Sequence, residues 1–149
     1  YFTPRPVINA MVRCVAPEPM KTIADPCCGS GGFFLASQSY ISDPSNYTLD
    51  REQKEFLKDK TFYGNEIVGA TFKTALMNLY LHNIGDIYTE APVTFGDALL
   101  TDPGYRVDYV LHLSARNLLL LSRTKMVSKK TKIWFTTVKI SGLQAQTSS

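Results

Sequence analysis

The sequence predicts an α/β fold on a partial, doubly wound sheet, with parallel strands in the order 3-2-1-4. Three observations predict it. Four short runs rich in β-branched and aromatic residues alternate with helical patterns, which is how a parallel sheet with helical crossovers is written. The first run leads directly into a glycine-rich turn that opens a helix. Val68, Phe72, Ala75, Leu76 and Leu79 then recur at helical spacing, the apolar stripe of a crossover helix. An order of 3-2-1-4 is expected for one half of a doubly wound sheet.

In chain order, Thr3 reads as an N-cap and Pro4 as a first helical residue. They open a helix to about Val15 that turns Val7, Ile8, Met11 and Val12 inward. Pro17 and Pro19 end it. Lys21–Asp25 is a short buried strand, Pro26–Gly32 the glycine turn and Phe33 to about Ile41 a helix, before a loop at Asp43-Pro44-Ser45-Asn46. A polar helix covers about Asp50–Leu57 and a second strand Thr61–Glu66. The amphipathic helix runs from Val68 to His82, with Asn83 and Gly85 as stop signals. Pro92–Phe95 and Val107–Leu111 complete the four strands, and there is no internal repeat.

A chain of 149 residues fits one domain or part of one, and 44% hydrophobic with 19% charged residues is ordinary for a globular protein. No apolar run approaches the roughly 20 residues of a membrane span. Tyr1-Phe2-Thr3-Pro4-Arg5-Pro6 has no signal-peptide pattern, and the missing initial Met allows for a lost upstream segment. Cys14, Cys27 and Cys28 fit no zinc spacing, so no metal is expected, and the setting expected is a reduced, cytoplasmic one. The net charge of +3 conceals a break in composition. Residues 1–111 hold 9 Lys/Arg against 13 Asp/Glu, whereas residues 112–149 hold 7 Lys/Arg and no acid.

Chemistry concentrates at Asp25-Pro26-Cys27-Cys28-Gly29-Ser30-Gly31-Gly32. Glycines between a strand and a helix let the backbone turn sharply and approach a ligand with its N–H groups. The next strand ends in Glu66, whose carboxylate suits ribose hydroxyls. The separation from Asp25 to Glu66 exceeds the roughly 20 residues of a dinucleotide-binding unit. The turn also reads Asp-x-x-x-Gly-x-Gly, which disfavours NAD. An acid ahead of the glycines suits a ligand with a cationic amino-acid end, as in S-adenosylmethionine. Taken alone, each residue has a plainer explanation: Glu66 as a solvated strand-end acid, Thr3 as a helix cap, Asp97 as a turn brace. His82 reads as a capping or surface histidine, and the cysteines as space-filling.

Taken together, four segments resemble one family. Asp25-Pro26-Cys27-Cys28-Gly29-Ser30-Gly31-Gly32-Phe33 is similar to the first methyltransferase motif of DNA adenine-N6 methyltransferases, in particular the modification subunit of type I restriction systems. Tyr1-Phe2-Thr3-Pro4-Arg5 resembles the preceding segment that folds over the cofactor, Tyr63-Gly64-Asn65-Glu66-Ile67 the ribose-binding strand end, and Gly96-Asp97-Ala98-Leu99 the adenine-proximal turn. The resemblance implies a Rossmann-like methyltransferase fold and S-adenosylmethionine as cofactor. Tyr1, Thr3, Pro4 and Arg5 would cover that cofactor, Thr3 and Asp25 touching its methionine moiety. Gly29, Ser30, Gly31 and Gly32 would approach it through the backbone, Glu66 would bind its ribose and Asp97 would lie near its adenine. It also implies action on DNA together with specificity and restriction subunits.

The same resemblance calls for Asn-Pro-Pro-Phe/Tyr directly after the fourth strand, where it holds a flipped adenine. Here His112-Leu113-Ser114-Ala115 follows, so no catalytic residue can be assigned. Joining the third base of each codon to the first two of the next gives a testable reason. From Leu111 onward the shifted frame permits Pro-Pro-Phe-Gly-Lys-Lys, and from Ile133 to Ser149 it permits Leu-Val-Tyr-Asn-Arg-Gln-Asp-Phe-Trp-Ala-Thr-Ser-Ser-Asn-Lys-Gln, which resembles the family downstream of the loop. The expectation is a cofactor-binding segment over residues 1–111 and an out-of-frame tail over residues 112–149. It leaves the edge of the fourth strand exposed, and Leu118-Leu119-Leu120-Leu121 without a packing partner. Two rival readings are a nucleotide-binding oxidoreductase fragment and a small DNA-binding protein. The latter would use Arg116, Arg123, Lys125, Lys129, Lys130, Lys132 and Lys139 with Trp134 and Phe135.

Overall fold

A computed structural model describes residues 3–98, 100 and 105–113, together with the backbone of residues 132–135. The elements are α1 (Arg5–Val15), β1 (Ile23–Asp25), α2 (Gly32–Ser42), α3 (Arg51–Asp59), β2 (Phe62–Glu66), α4 (Gly69–Leu81), β3 (Val93–Phe95), β4 (Tyr109–His112) and β5 (Lys132–Phe135). The strands form one sheet in the order β3-β2-β1-β4-β5, and every pairing is parallel. The 3-2-1-4 core is therefore as the alternating pattern predicts.

Beside β4 the outcome differs from the expectation of an open edge. Tyr109 pairs with Lys132 and His112 with Phe135, so backbone from the basic segment supplies a fifth strand. Three or four residues of any composition can add to an exposed parallel edge, because the ladder bonds are made by backbone and ask little of the side chains. The leucine run, and the basic residues other than Lys132, lie outside the described residues.

Helix boundaries shift by a residue or two, each for a local reason. Pro4, not Thr3, is the N-cap of α1, and no side chain caps it; its carbonyl accepts from Val7 N (3.0 Å) and Ile8 N (3.2 Å). Pro6 has no N–H, so one fewer donor needs satisfying at this end. Asp50 caps α3 in a reciprocal box, with Gln53 N donating to Asp50 Oδ1 (2.8 Å) and Asp50 N donating to Gln53 Oε1 (3.0 Å). Val68 stands at the N-cap of α4 and is 54% exposed, so it is not part of the inward stripe. His82 is the exposed C-cap of that helix, and Asn83 and Gly85 follow with positive φ, as their stop-signal reading requires.

Residues from all four helices join one core with Ile23, Phe62, Val93, Tyr109 and Leu111 of the sheet. Its centre holds the fully buried Phe34, Leu79 and Ile23, each side chain contributing about 1.5–3 kcal/mol by leaving water. The alternate strand positions, Ala24 and Val110, join Val107 in a smaller cluster on the other face, with Tyr63 and Tyr105 against it. At the N-terminal ends of β1 and β4, Thr22 N and Oγ1 both donate to Asp108 Oδ2 (2.9 Å each) and Asp108 N donates back to Thr22 Oγ1 (3.0 Å). This exchange, with Tyr109 N also donating to Thr22 O (2.9 Å), pins the two strands in register.

Candidate functional site

The parallel register sets the C-terminal ends of β1 and β2 side by side. Asp25 pairs with Gly64, and Glu66 lies two residues further along β2. Between them runs the glycine turn, held from three directions. Cys28 N donates to Asn65 O of β2 (3.0 Å), Gly29 N to Glu66 Oε2 (3.1 Å), and Asn78 Nδ2 of α4 to Ser30 O (3.1 Å). Gly31 N closes the turn on Cys28 O (2.9 Å), and Gly31 is the N-cap of α2.

Two of the glycines are needed for distinct reasons. Gly29 has φ +57 and Gly31 φ +84, both in the left-handed region where other residues are strained. A methyl on Gly31 would also lie 3.0 Å from Leu79 Cδ2, whereas one on Gly29 would meet nothing within 4 Å. The open space of the turn thus lies before Gly29. Gly32, by contrast, is where α1 seats: a methyl there would come 2.9 Å from Ile8 Cδ1.

Both carboxylates are buried, Asp25 at 2% and Glu66 at 8% exposure. Glu66 accepts from Gly29 N with one oxygen and from Val68 N (2.8 Å) with the other. An ionised carboxylate has about four lone-pair sites, so each oxygen keeps one for a further donor. Asp25 Oδ1 accepts from Cys27 N (3.0 Å) and lies 3.4 Å from His112 Nδ1. The acidity registers on the turn itself. The Cys27 thiol is pushed up to about 11 by desolvation and then by Asp25, Glu66 and Asp97. Burial first, and then the Asp25 and Glu66 carboxylates, raise the Cys28 thiol further. Neither thiol is a nucleophile at neutral pH, since attack needs the thiolate.

Of the residues singled out in the sequence, the fold brings together Asp25, Gly29, Ser30, Gly31, Gly32 and Glu66. Asp97 joins them through the bond from Gly96 N to Glu66 O (3.0 Å) and its pull on Cys27. Thr3, Pro4 and Arg5 lie at the start of α1, whose Ile8 touches Gly32; Tyr1 lies outside the described residues. Two contributors have no signal in the sequence: Asn78 acts through the fold, and His112 falls where the composition changes. Asn65 stands in the strand-end segment already singled out, but the bond its carbonyl makes to the turn comes from the fold. A separate cleft of about 410 Å³, lined by Gln38, Tyr47, Lys54, Lys58 and Asn83 among others, opens at the far ends of α2 and α4 and touches none of these residues.

A doubly wound sheet in this order, with an acid-led glycine turn and a second carboxylate one strand over, defines the class of methyltransferase-type nucleotide-binding folds. More narrowly, the chain belongs to the N-6 DNA methylase family, whose model matches residues 1–112. It is 34% identical over 105 residues to the type I restriction enzyme StySPI methylase subunit of Salmonella potsdam, covering 68% of this chain and 20% of that protein. The crystal structure of the type I restriction enzyme EcoKI M protein superposes with a TM-score of 0.68 at 26% identity, over 85% of this chain and 27% of that one. The fold alone is shared with an RNA methyltransferase of Salinibacter ruber solved with S-adenosyl-L-homocysteine (TM-score 0.53, 17% identity, 76% of this chain and 61% of that one). The chain thus spans about a fifth of the length of the curated relative.

Proposed function

We propose that this chain is the S-adenosylmethionine-binding part of a DNA adenine-N6 methyltransferase of the type I modification kind, and that it binds cofactor without transferring the methyl group. The observation that carries the reading is the pair of buried carboxylates, Asp25 and Glu66, at the neighbouring ends of β1 and β2 with the glycine turn bonded to both. Asp25 would receive the cationic methionine end. The two remaining lone pairs of Glu66 would accept the ribose hydroxyls, and the Gly96–Asp97 turn would border the adenine. Thr3, Pro4 and Arg5, at the head of the helix seated on Gly32, would approach from the side. Bound there, the cofactor supplies an electrophilic methyl group. The amino nitrogen of a DNA adenine must be held in line with it, and positioning of that kind accounts for much of such catalysis.

The residues that would do so are those of the Asn-Pro-Pro-Phe segment, which the sequence lacks. The reading therefore divides the chain into a cofactor-binding part over residues 1–111 and an out-of-frame tail beyond. Host-DNA recognition, and the specificity and restriction subunits, belong to the intact relative. Three unbridged cysteines suit a cytoplasmic setting.

Calorimetry with S-adenosylmethionine, S-adenosylhomocysteine and NAD tests the binding reading. Saturable heat with the first two and none with NAD is expected, whereas binding of NAD alone, or of nothing, rejects it. A continuous gene without a lesion near the Leu111 codon would reject the frame-shifted tail.

A further inference from the structure

We propose that His112 is a positioning residue for the cationic end of the bound ligand: its ring orients Asp25, and on gaining a proton it takes that carboxylate away from the ligand. This rests on the cofactor reading above and adds to it a residue from outside the glycine turn.

The geometry is specific. His112 is the last residue of β4 and Asp25 the last of β1, and the two strands run in parallel as neighbours. Both side chains are buried, at 6% and 2%, with Nδ1 3.4 Å from Oδ1. A neutral imidazole with its proton on Nδ1 can donate to that oxygen, which already accepts from Cys27 N, and so fixes the carboxylate plane. A protonated imidazole forms an ion pair with it. A ligand carrying an ammonium or sulfonium group would then meet a neutralised pair with a positive ring in place of a carboxylate.

Histidine is the side chain whose charge ordinarily changes between pH 5 and 8. The other ionisable groups around Asp25 are Cys27, Cys28, Glu66 and Asp97, with Tyr105 beyond Cys28; Lys132 of β5 pairs with Tyr109, three positions from His112 in the register. Both thiols and the Tyr105 phenol are raised, chiefly by burial, and so carry no charge across that window.

The test is calorimetric titration of the full chain with S-adenosylhomocysteine at pH 5.5 and 7.5, for the wild type, His112→Asn and His112→Leu. Asparagine places an amide N–H where Nδ1 stands and does not titrate, so it also reports any pH dependence belonging to the ligand or to the carboxylates. The wild type should bind about fivefold more weakly at pH 5.5 than at 7.5, a proton-linked loss that His112→Asn lacks. At pH 7.5, His112→Leu should weaken binding about 3–10-fold, the effect of one lost hydrogen bond, and His112→Asn should restore it. Equal pH dependence in wild type and His112→Asn, or full affinity in His112→Leu, overturns the role of His112 and leaves the cofactor reading standing. No binding by the wild type at either pH overturns both. A ligand-free measurement guards against misfolded variants. The chain has two histidines, so its imidazole NMR signals are easily followed. Asp25→Asn, which alters the group 3.4 Å from Nδ1, should move the imidazole signals of His112 and leave those of His82 in place; an unmoved His112 signal overturns the pairing.

Discussion

Replacing Gly29 by alanine separates the cost of the turn's backbone from the use of its open space. Alanine at φ +57 incurs the left-handed penalty of about 1–2 kcal/mol, partly offset by about 0.4–1 kcal/mol from the lower entropy of its unfolded chain. No steric term is added, because the new methyl meets nothing within 4 Å. The net loss should be about 1 kcal/mol, a fall in Tm of about 3–5 °C for a domain of this size. Gly31→Ala shares the backbone penalty and also drives a methyl to 3.0 Å from Leu79 Cδ2, a fully buried side chain with no room to swing aside. Overpacking of that kind adds about 1–3 kcal/mol, so its total should be about 2–4 kcal/mol. Binding should rank the two in the opposite order. On the proposed cofactor reading, the methyl of Gly29→Ala would enter open space that the ligand uses, and affinity for S-adenosylhomocysteine should fall at least about tenfold, some 1.4 kcal/mol. Urea denaturation and calorimetry on the same preparations make the comparison. Wild-type affinity in Gly29→Ala, or a stability loss equal to that of Gly31→Ala, would refute the reasoning.

Three further substitutions probe the surroundings. Glu66→Gln must turn an NH₂ toward Gly29 N or Val68 N, both of which now donate to the carboxylate; a loss of about 1–3 kcal/mol in urea denaturation is expected, with cofactor affinity falling as well. For Asp108, burial works to raise the pKa, but the bonds from Thr22 and the Lys21 ammonium outweigh it and hold the carboxyl below its usual range. A carboxyl depressed in the folded state adds stability above its unfolded value of about 3.9, and that contribution is lost as pH falls through the folded value. The side chain is 43% exposed, so screening limits the effect to about 1 kcal/mol; Asp108→Asn should be less stable at pH 7 and show a shallower acid decline in chemical denaturation. Asp50→Ala removes the α3 capping box at an exposed site far from the turn, and should lower stability by about 1 kcal/mol with S-adenosylhomocysteine affinity unchanged by calorimetry.

The sheet order was legible because each crossover is written locally: a glycine turn, a helical stripe and a strand recur in a pattern that parallel pairing satisfies. The approach of Asp25 to Glu66 follows from that order alone, since neighbouring parallel strands end together. Less legible were features set by partners distant in sequence. Asn78 is one of several polar residues of α4, beside Thr71, Lys73 and Thr74, and nothing in its spacing announces a bond to Ser30. Val68 fits the apolar stripe by spacing, yet it lies one residue before the helix begins and so faces outward. β5 and the burial of His112 were hidden by the change in charge after Leu111. Composition describes solvent preference, and it says little about which backbone a free strand edge will accept.

On the proposed reading, the bonds that shape the turn would let cofactor binding be separated from methyl transfer. Cys28 is tied to Asn65, Gly29 to Glu66 and Ser30 to Asn78, and Gly96 rests on Glu66, all within residues 28–96. None of these bonds draws on the segment where the adenine-holding residues would stand. Fixing the turn is a matter of backbone strain and long-range hydrogen bonds, settled once β1, β2 and α4 have packed. Holding an acceptor base is a separate requirement, placed beyond the end of β4. Among the described residues, His112 reaches from the end of β4 to Asp25. A change in reading frame at that strand end would therefore leave the glycine turn intact and alter what faces Asp25 from β4, which is why substitution of His112 tests the consequence of the change.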